Sequence, residues 1–168
     1  MSGEPAIRKV LERTKAWLDG NVGTGITVWL DRPFDQPFHD EELPCLNLRC
    51  QRVDMSVAGY SAGMMHEAMI AFDIITRSAL VQTIDQKQAE IAADLVARIG
   101  TMNAVPGGIG ELLSAQNNGL LCTPLSMGGQ SDEFDMSDQG TSTFIWRFVF
   151  LTPLTDFRTI VGQNGTVA

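Results

Sequence analysis

Along the first twenty residues the apolar positions recur at helical spacing. Ile7, Val10, Leu11, Thr14, Trp17 and Leu18 fall on one side, and Arg8, Lys9, Glu12, Arg13 and Lys15 on the other. Pro5 suits a first helical turn and Gly20 a stop, so the pattern predicts one amphipathic helix there. After Gly20, Gly23 and Gly25 the period changes to two. Ile26, Val28 and Leu30 alternate with Thr27, Trp29 and Asp31, which predicts a strand with one buried side.

Residues 31–42 carry Pro33, Pro37 and the carboxylates Asp35, Asp40, Glu41 and Glu42, and read as a solvated loop. Alternation resumes over 45–53 with Leu46, Leu48 and Cys50, a second strand. A small-residue loop over 56–63 follows. In 64–77 the Met and Ala content suits a helix, but Ala68, Ile70, Phe72 and Ile74 alternate, which favours a strand hairpin-paired with the one before.

Thr83 and Gln86 have capping-box spacing ahead of Ile84, Ile91, Leu95 and Ile99, predicting a second helix that ends at Gly100. Residues 103–110 form a Gly-rich connection, and 111–115 could add one helical turn before Asn117, Asn118 and Gly119. A closing hairpin is predicted from strands over 120–127 and 141–152, joined by an acidic loop. In its last strand Phe144, Trp146, Phe148 and Phe150 share one side, while Ile145, Val149 and Leu151 make the other side apolar too. The order predicts an α+β fold, a mainly antiparallel sheet of about five strands with two main helices on one face, in one domain over 1–152 followed by a tail over 153–168.

Composition narrows the function classes. With 168 residues, 44% hydrophobic and 19% charged, the chain has the make-up of one folded domain. Its net charge of −8, with no concentrated Lys/Arg window, argues against a nucleic-acid-grasping surface. No run approaches the roughly 18 apolar residues of a membrane span, and no apolar leader follows Met1, so the expected compartment is cytoplasmic with no membrane partner. Three cysteines, Cys45, Cys50 and Cys122, do not make a disulfide framework.

Each candidate chemistry meets a simpler reading. Gly59-Tyr60-Ser61-Ala62-Gly63 spells a G-x-S-x-G nucleophile elbow, which would make Ser61 the nucleophile of a small hydrolase. The histidine of such a triad lies late in the chain, yet none follows His66, so a hairpin loop is the better reading. His39, Asp40, Glu41, Glu42 and His66 lack convergent metal-ligand spacing, and Cys45 and Cys50 should point to opposite faces of a strand. Asp132, Glu133, Asp135 and Asp138 lack the glycine and terminal Glu of a calcium loop. Gly107-Gly108-Ile109-Gly110 follows a helix, where a phosphate cradle would follow a strand. No catalytic, metal or cofactor residue emerges. Two helices on one side of a sheet leave its other side open, so the surplus apolar face of the last strand points to a partner subunit.

The order of elements resembles the tail terminator family of long-tailed bacteriophages, the minor tail protein U-like or tail completion proteins. The resemblance runs through the amphipathic first helix, a strand, the Asp31-Arg32-Pro33 loop with its acids, Leu43-Pro44 opening a strand, the long strand over 67–77, a helix, and a closing hairpin with an acidic tip and an aromatic last strand. The longer loop over 54–63 and the tail after Pro153 depart from the shortest members. The resemblance implies a non-enzymatic structural protein of the virion neck, assembled in the host cytoplasm. It implies a hexameric ring that caps the tail tube, stops its polymerisation and offers the other side to the head connector. A head-to-tail joining protein of the same fold, or a cytoplasmic homo-oligomeric binding module, are the neighbouring readings.

In such a ring Trp17, Phe144, Trp146, Phe148 and Phe150 are the expected subunit contacts. The acidic residues Asp35, Asp40, Glu41, Glu42, Asp132, Glu133, Asp135 and Asp138 are the expected lumen or docking loops. They would repel phosphates and let DNA pass without binding.

Overall fold

The computed structural model describes residues 4–23, 25–33, 36, 38–58, 63–77, 84–100, 122–130 and 139–160. Helix α1 (Ala6–Leu18) starts behind Pro5, whose carbonyl accepts from the amides of Arg8 and Lys9, and buries Ala6, Val10, Leu11, Thr14 and Leu18. Thr14 satisfies its buried hydroxyl by donating to the Val10 carbonyl at 2.7 Å. Behind the helix end at Leu18, Gly20 takes a φ of 70° that glycine tolerates without strain, and Asp19 accepts from the Val28 amide at 2.9 Å. That bond ties the turn to β1 (Thr27–Leu30).

Strand β1 runs parallel to β2 (Cys45–Ala58), with Val28 opposite Leu46 and Leu30 opposite Leu48. A parallel neighbour needs a crossover of a dozen or more residues. The connection over 31–44 is long enough, and it carries a 3-10 turn (Asp40–Glu42) and a cis Leu43-Pro44 bond. Strands β2 and β3 (Gly63–Arg77) form the expected hairpin, but β2 continues to Ala58, through residues that the small-residue pattern assigned to a loop. A bulge between Cys50 and Arg52 shifts the register by one residue, so that Cys50 stands opposite Ile70 and Arg52 opposite Met69.

Helix α2 (Ile84–Gly100) follows, with Thr83, the expected cap, outside the described residues together with 103–110 and 111–115. Strands β4 (Cys122–Gln130) and β5 (Gln139–Pro153) complete a mixed sheet in the order β1-β2-β3-β5-β4. Side chains are described on β1, β2, β3 and β5. The α+β class with two helices stands, and the mainly antiparallel expectation is met in part: β2–β3, β3–β5 and β4–β5 pair antiparallel, while β1–β2 is parallel.

Register assigns the two sides of the sheet. Leu48, Phe72 and Phe144 stand in one cross-strand row, Cys50, Ile70 and Trp146 in the next, and Ala68 and Phe148 beyond them. This side faces the helices, and its core includes Val10, Leu18, Ile91, Leu95 and Ile99. Phe72 packs against Trp146 and Phe148 with ring centroids 6.3 and 6.2 Å apart. Trp17 joins the two helices: its indole N–H donates to the Arg98 carbonyl at 3.3 Å, and the Arg98 guanidinium lies 3.9 Å over the ring.

The segment after Pro153 is not a free tail as far as residue 160. Ile160 is fully buried in the core, and the Phe157 carbonyl accepts from the Ala6 amide at 2.8 Å.

Candidate functional site

The expected contact residues divide by burial. Phe144, Trp146, Phe148 and Phe150 are only 6%, 4%, 0% and 1% exposed, so all four are core residues of this chain, and Trp17 is engaged by Arg98. The aromatic side of β5 is therefore corrected from interface to interior. The physical reason is alternation: both sides of β5 are apolar, and the larger side chains take the helix-covered side.

What remains open is the reverse face. There Met65, Glu67 and Met69 of β3 lie beside Ile145, Arg147, Val149 and Leu151 of β5, all half-buried, with Met65 opposite Leu151 and Glu67 opposite Val149. Arg147 reaches Glu67 across the strands at 3.4 Å, while Arg52 and Asp54 pair on the β2 rim at 2.8 Å. Exposed ion pairs of this kind add little stability and leave the apolar residues as the chief feature of the face.

Toward the other end the same face holds a buried acid. Asp73 is fully buried, accepts from Arg49 Nε at 2.7 Å and Nη2 at 3.3 Å, and accepts from the Thr143 hydroxyl at 2.6 Å. Three strands are cross-linked by one carboxylate. Nothing in the hydrophobic pattern assigned it a role, although an acid amid Ala71, Phe72 and Ile74 is itself a signal that a buried partner is needed.

Beyond Asp73 the described part of the connection over 31–44 brings Phe38 into the core, and most of its described acids are paired. Arg32 lies between two rings, 4.7 Å from the Trp29 centroid and 4.2 Å from that of Phe38, and donates to both Glu42 oxygens at 2.7 and 3.2 Å. Glu42 also accepts from the His39 amide at 2.7 Å. Asn47 exchanges two hydrogen bonds with the Arg32 backbone at 3.1 and 3.0 Å, standing in for a strand neighbour. Asp40 pairs with Arg77 at 3.1 Å, and Gln139 donates to the Phe38 carbonyl at 3.4 Å.

The Asp31-Arg32-Pro33 loop is thus a clamp. Asp31 pairs with Arg8 at 2.8 Å, so among the described acids of this loop Glu41 alone is exposed without such a contact; Asp35 lies outside the described residues, as do Asp132, Glu133, Asp135 and Asp138. An open polar cleft lined by Phe38, His39, Asp40, Glu41 and Arg77 sits at this end.

The clamp makes a pH prediction. Hydrogen bonding from Arg32, then from the His39 amide, holds Glu42 below the ordinary carboxylate value of 4.5. A carboxylate whose value is lowered by folding stabilises the fold above its unfolded value, and that contribution is lost as the pH falls through the folded one. Glu42→Gln is expected to be less stable than wild type near neutral pH, and the gap to narrow below about pH 4. Urea midpoints across pH measure it; a gap that does not change with pH removes the clamp from the explanation.

The hydrolase reading finds the wrong setting. Ser61 lies outside the described residues, but the elements flanking it are paired strands, Ala58 opposite Gly63, where an elbow requires a strand entering a helix. His66 lies on the helix-covered side of β3, opposite Met55, far along the hairpin from the clamp. Among the described residues no group of three His, Cys, Asp or Glu could hold a metal ion. Cys45 and Cys50 are free thiols on opposite sides of β2, and burial pushes Cys45 up to about 12. No described helix is long and apolar enough to cross a membrane. No family model matches the chain, and no curated protein matches it either.

Proposed function

We propose that this chain is a structural protein of a phage or phage-like virion, a tail terminator. In this reading it closes into a hexameric ring, caps the tail tube, stops its polymerisation and presents its other side to the head connector, without catalysis or a cofactor. DNA passes through the lumen unbound. One observation carries the reading: a sheet face with Met65, Met69, Ile145, Val149 and Leu151 half-open to solvent around the Arg147–Glu67 ion pair. Apolar surface of this extent on one side of a sheet fits a partner better than water.

A ring formed by rotation needs two different patches on each subunit. The second is assigned to the far end of the β2–β3 hairpin. Met55 and Val57, 55% and 65% exposed, share the helix-covered side there, and Leu154 and Phe157, 40% and 42% exposed, belong to the segment after β5. Among the described residues these are four of the five exposed large hydrophobics. Because the two patches lie on opposite sides of one sheet, each meets the other kind on a neighbour and the contacts can propagate around a ring. A head-to-tail joining protein of the same fold would use the same surfaces and differ only in what it stacks upon.

Leu151→Glu tests the surface. Its side chain is half-buried at the end of β5, so the expected cost in fold stability is modest, about 1 kcal/mol. The expected result is an unchanged circular-dichroism spectrum with loss of the cross-linked oligomer ladder formed by wild type, alone or on tail tubes. A Leu151→Glu protein that assembles as wild type rules the face out as a contact.

A further inference from the structure

The segment over 154–160 has no helix or strand of its own, yet it covers the one buried histidine of the described core. His66 is 5% exposed, stacks flat on Phe150 with centroids 4.9 Å apart, and is hydrogen-bonded through Nε2 to the Thr152 hydroxyl at 2.8 Å. Phe157 closes the site from outside, its ring edge-on to the imidazole at 5.2 Å. The same Phe157 accepts from the Ala6 amide, and Ile160 anchors the far end in the core. Among the described residues the strap therefore rests on a titratable ring, the Phe157–Ala6 backbone bond to α1 and the apolar anchor Ile160.

We propose that residues 154–160 form an acid-released strap, and that protonation of His66 is what opens it. A charged imidazole between two phenyl rings and under an apolar cover needs water, and lifting Phe157 is the shortest route to it. Burial already holds His66 below the ordinary imidazole value of 6.5, so the neutral ring belongs to the closed strap and the charged one to the open strap. The closed form is fully favoured above 6.5 and loses its advantage as the pH falls through the lowered value.

Charged groups on the surrounding elements do not substitute for that water. Asp54, Glu67 and Arg147 belong to the opposite side of the sheet by alternation. On α1 and the residue before its cap, Glu4 pairs with Arg8 at 3.7 Å. Asp156 accepts from the Arg158 amide at 3.0 Å, and hydrogen bonding from Thr159 first holds it below 3.8, with Arg158 and Lys9 adding to that.

Opening would extend the apolar surface that Met55 and Val57 begin, a consequence for assembly that rests on the terminator reading; the strap itself does not. The Ala6 amide is the reporter. Amides in the first turn of a helix have no acceptor within the helix, so exchange protection at Ala6 reports its bond to Phe157. In the full chain, hydrogen exchange at Ala6, corrected for its intrinsic pH dependence, is expected to lose protection by up to about tenfold per pH unit from about pH 6.5 downward, the limit for one proton taken up on opening.

His66→Gln, which keeps a polar group toward Thr152 but cannot titrate, is expected to be flat over the same range. Because that variant could also disturb the fold, the wild-type His66 ring is titrated by NMR in parallel, with the two midpoints expected to coincide. Ala6 protection that stays constant in wild type, a midpoint apart from that of His66, or an undiminished response in a folded His66→Gln overturns the strap. Ring assembly plays no part in either readout, so the strap and the terminator reading fail separately.

Discussion

Phe148→Ala is expected to remove about 3–5 kcal/mol of folding stability, a large share of the roughly 5–15 kcal/mol that a domain of this size has in total. Phe148 is fully buried on the helix-covered side of β5, opposite Ala68 and stacked on Phe72. Small neighbours cannot swing into the space left by its ring. Ala68 has only a methyl group, with no rotamer to change, and Phe72 is itself packed against Trp146. Val149→Ala, one residue on and on the open face, is expected to cost about 1 kcal/mol or less. Urea titration of the two variants compares the two sides of one strand; equal costs would contradict the assignment of the aromatic side to the interior.

Asp73→Ala is expected to cost about 3 kcal/mol, by a different route. The substitution removes few contacts but takes away the acceptor shared by Arg49 and Thr143, whose donors then face each other across the sheet. Arg49 is 31% exposed and can turn partly to water, which keeps the cost from running higher. Asp73→Asn, keeping shape and one acceptor, should cost less, and Arg49→Met with Asp73→Leu together should cost less than the sum of the singles. Additive costs in that cycle would mean that the carboxylate and the guanidinium stabilise the fold independently.

Much of this fold was legible because helix and strand periods separate well where one side is polar. Helix α1 and the alternation of β2 and β3 follow directly from their spacing of apolar residues. The parallel pairing of β1 was not legible, because alternation reports that a strand has two unlike faces and not which way its neighbour runs. The same ambiguity misdirected the interface residues. On β5 both sets of side chains are apolar, and only the placement of the helices decides that Phe144 to Phe150 go inward while Ile145, Val149 and Leu151 stay half-open.

Charges were harder still. The acids of the 31–42 loop look solvated in sequence, but Arg32 and Arg77 claim Glu42 and Asp40 from 10 and 37 positions away. A carboxylate's partner is set by tertiary approach, which periodicity does not encode. The picture of a freely charged lumen loop is accordingly weaker at this end of the molecule, and the expected role of Asp40 and Glu42 moves from repelling DNA to fixing the crossover between β1 and β2.

With the aromatics inside and the clamp neutralised, the proposed terminator role rests on the open face and the hairpin end, two patches on opposite sides of one sheet. Termination and head joining predict different particles. The decisive measurement is the distribution of tail lengths, by negative-stain electron microscopy, in particles assembled with and without this chain. Termination predicts a single length when the chain is present and overlong, variable tails when it is absent; tails of one unchanged length in its absence would contradict it.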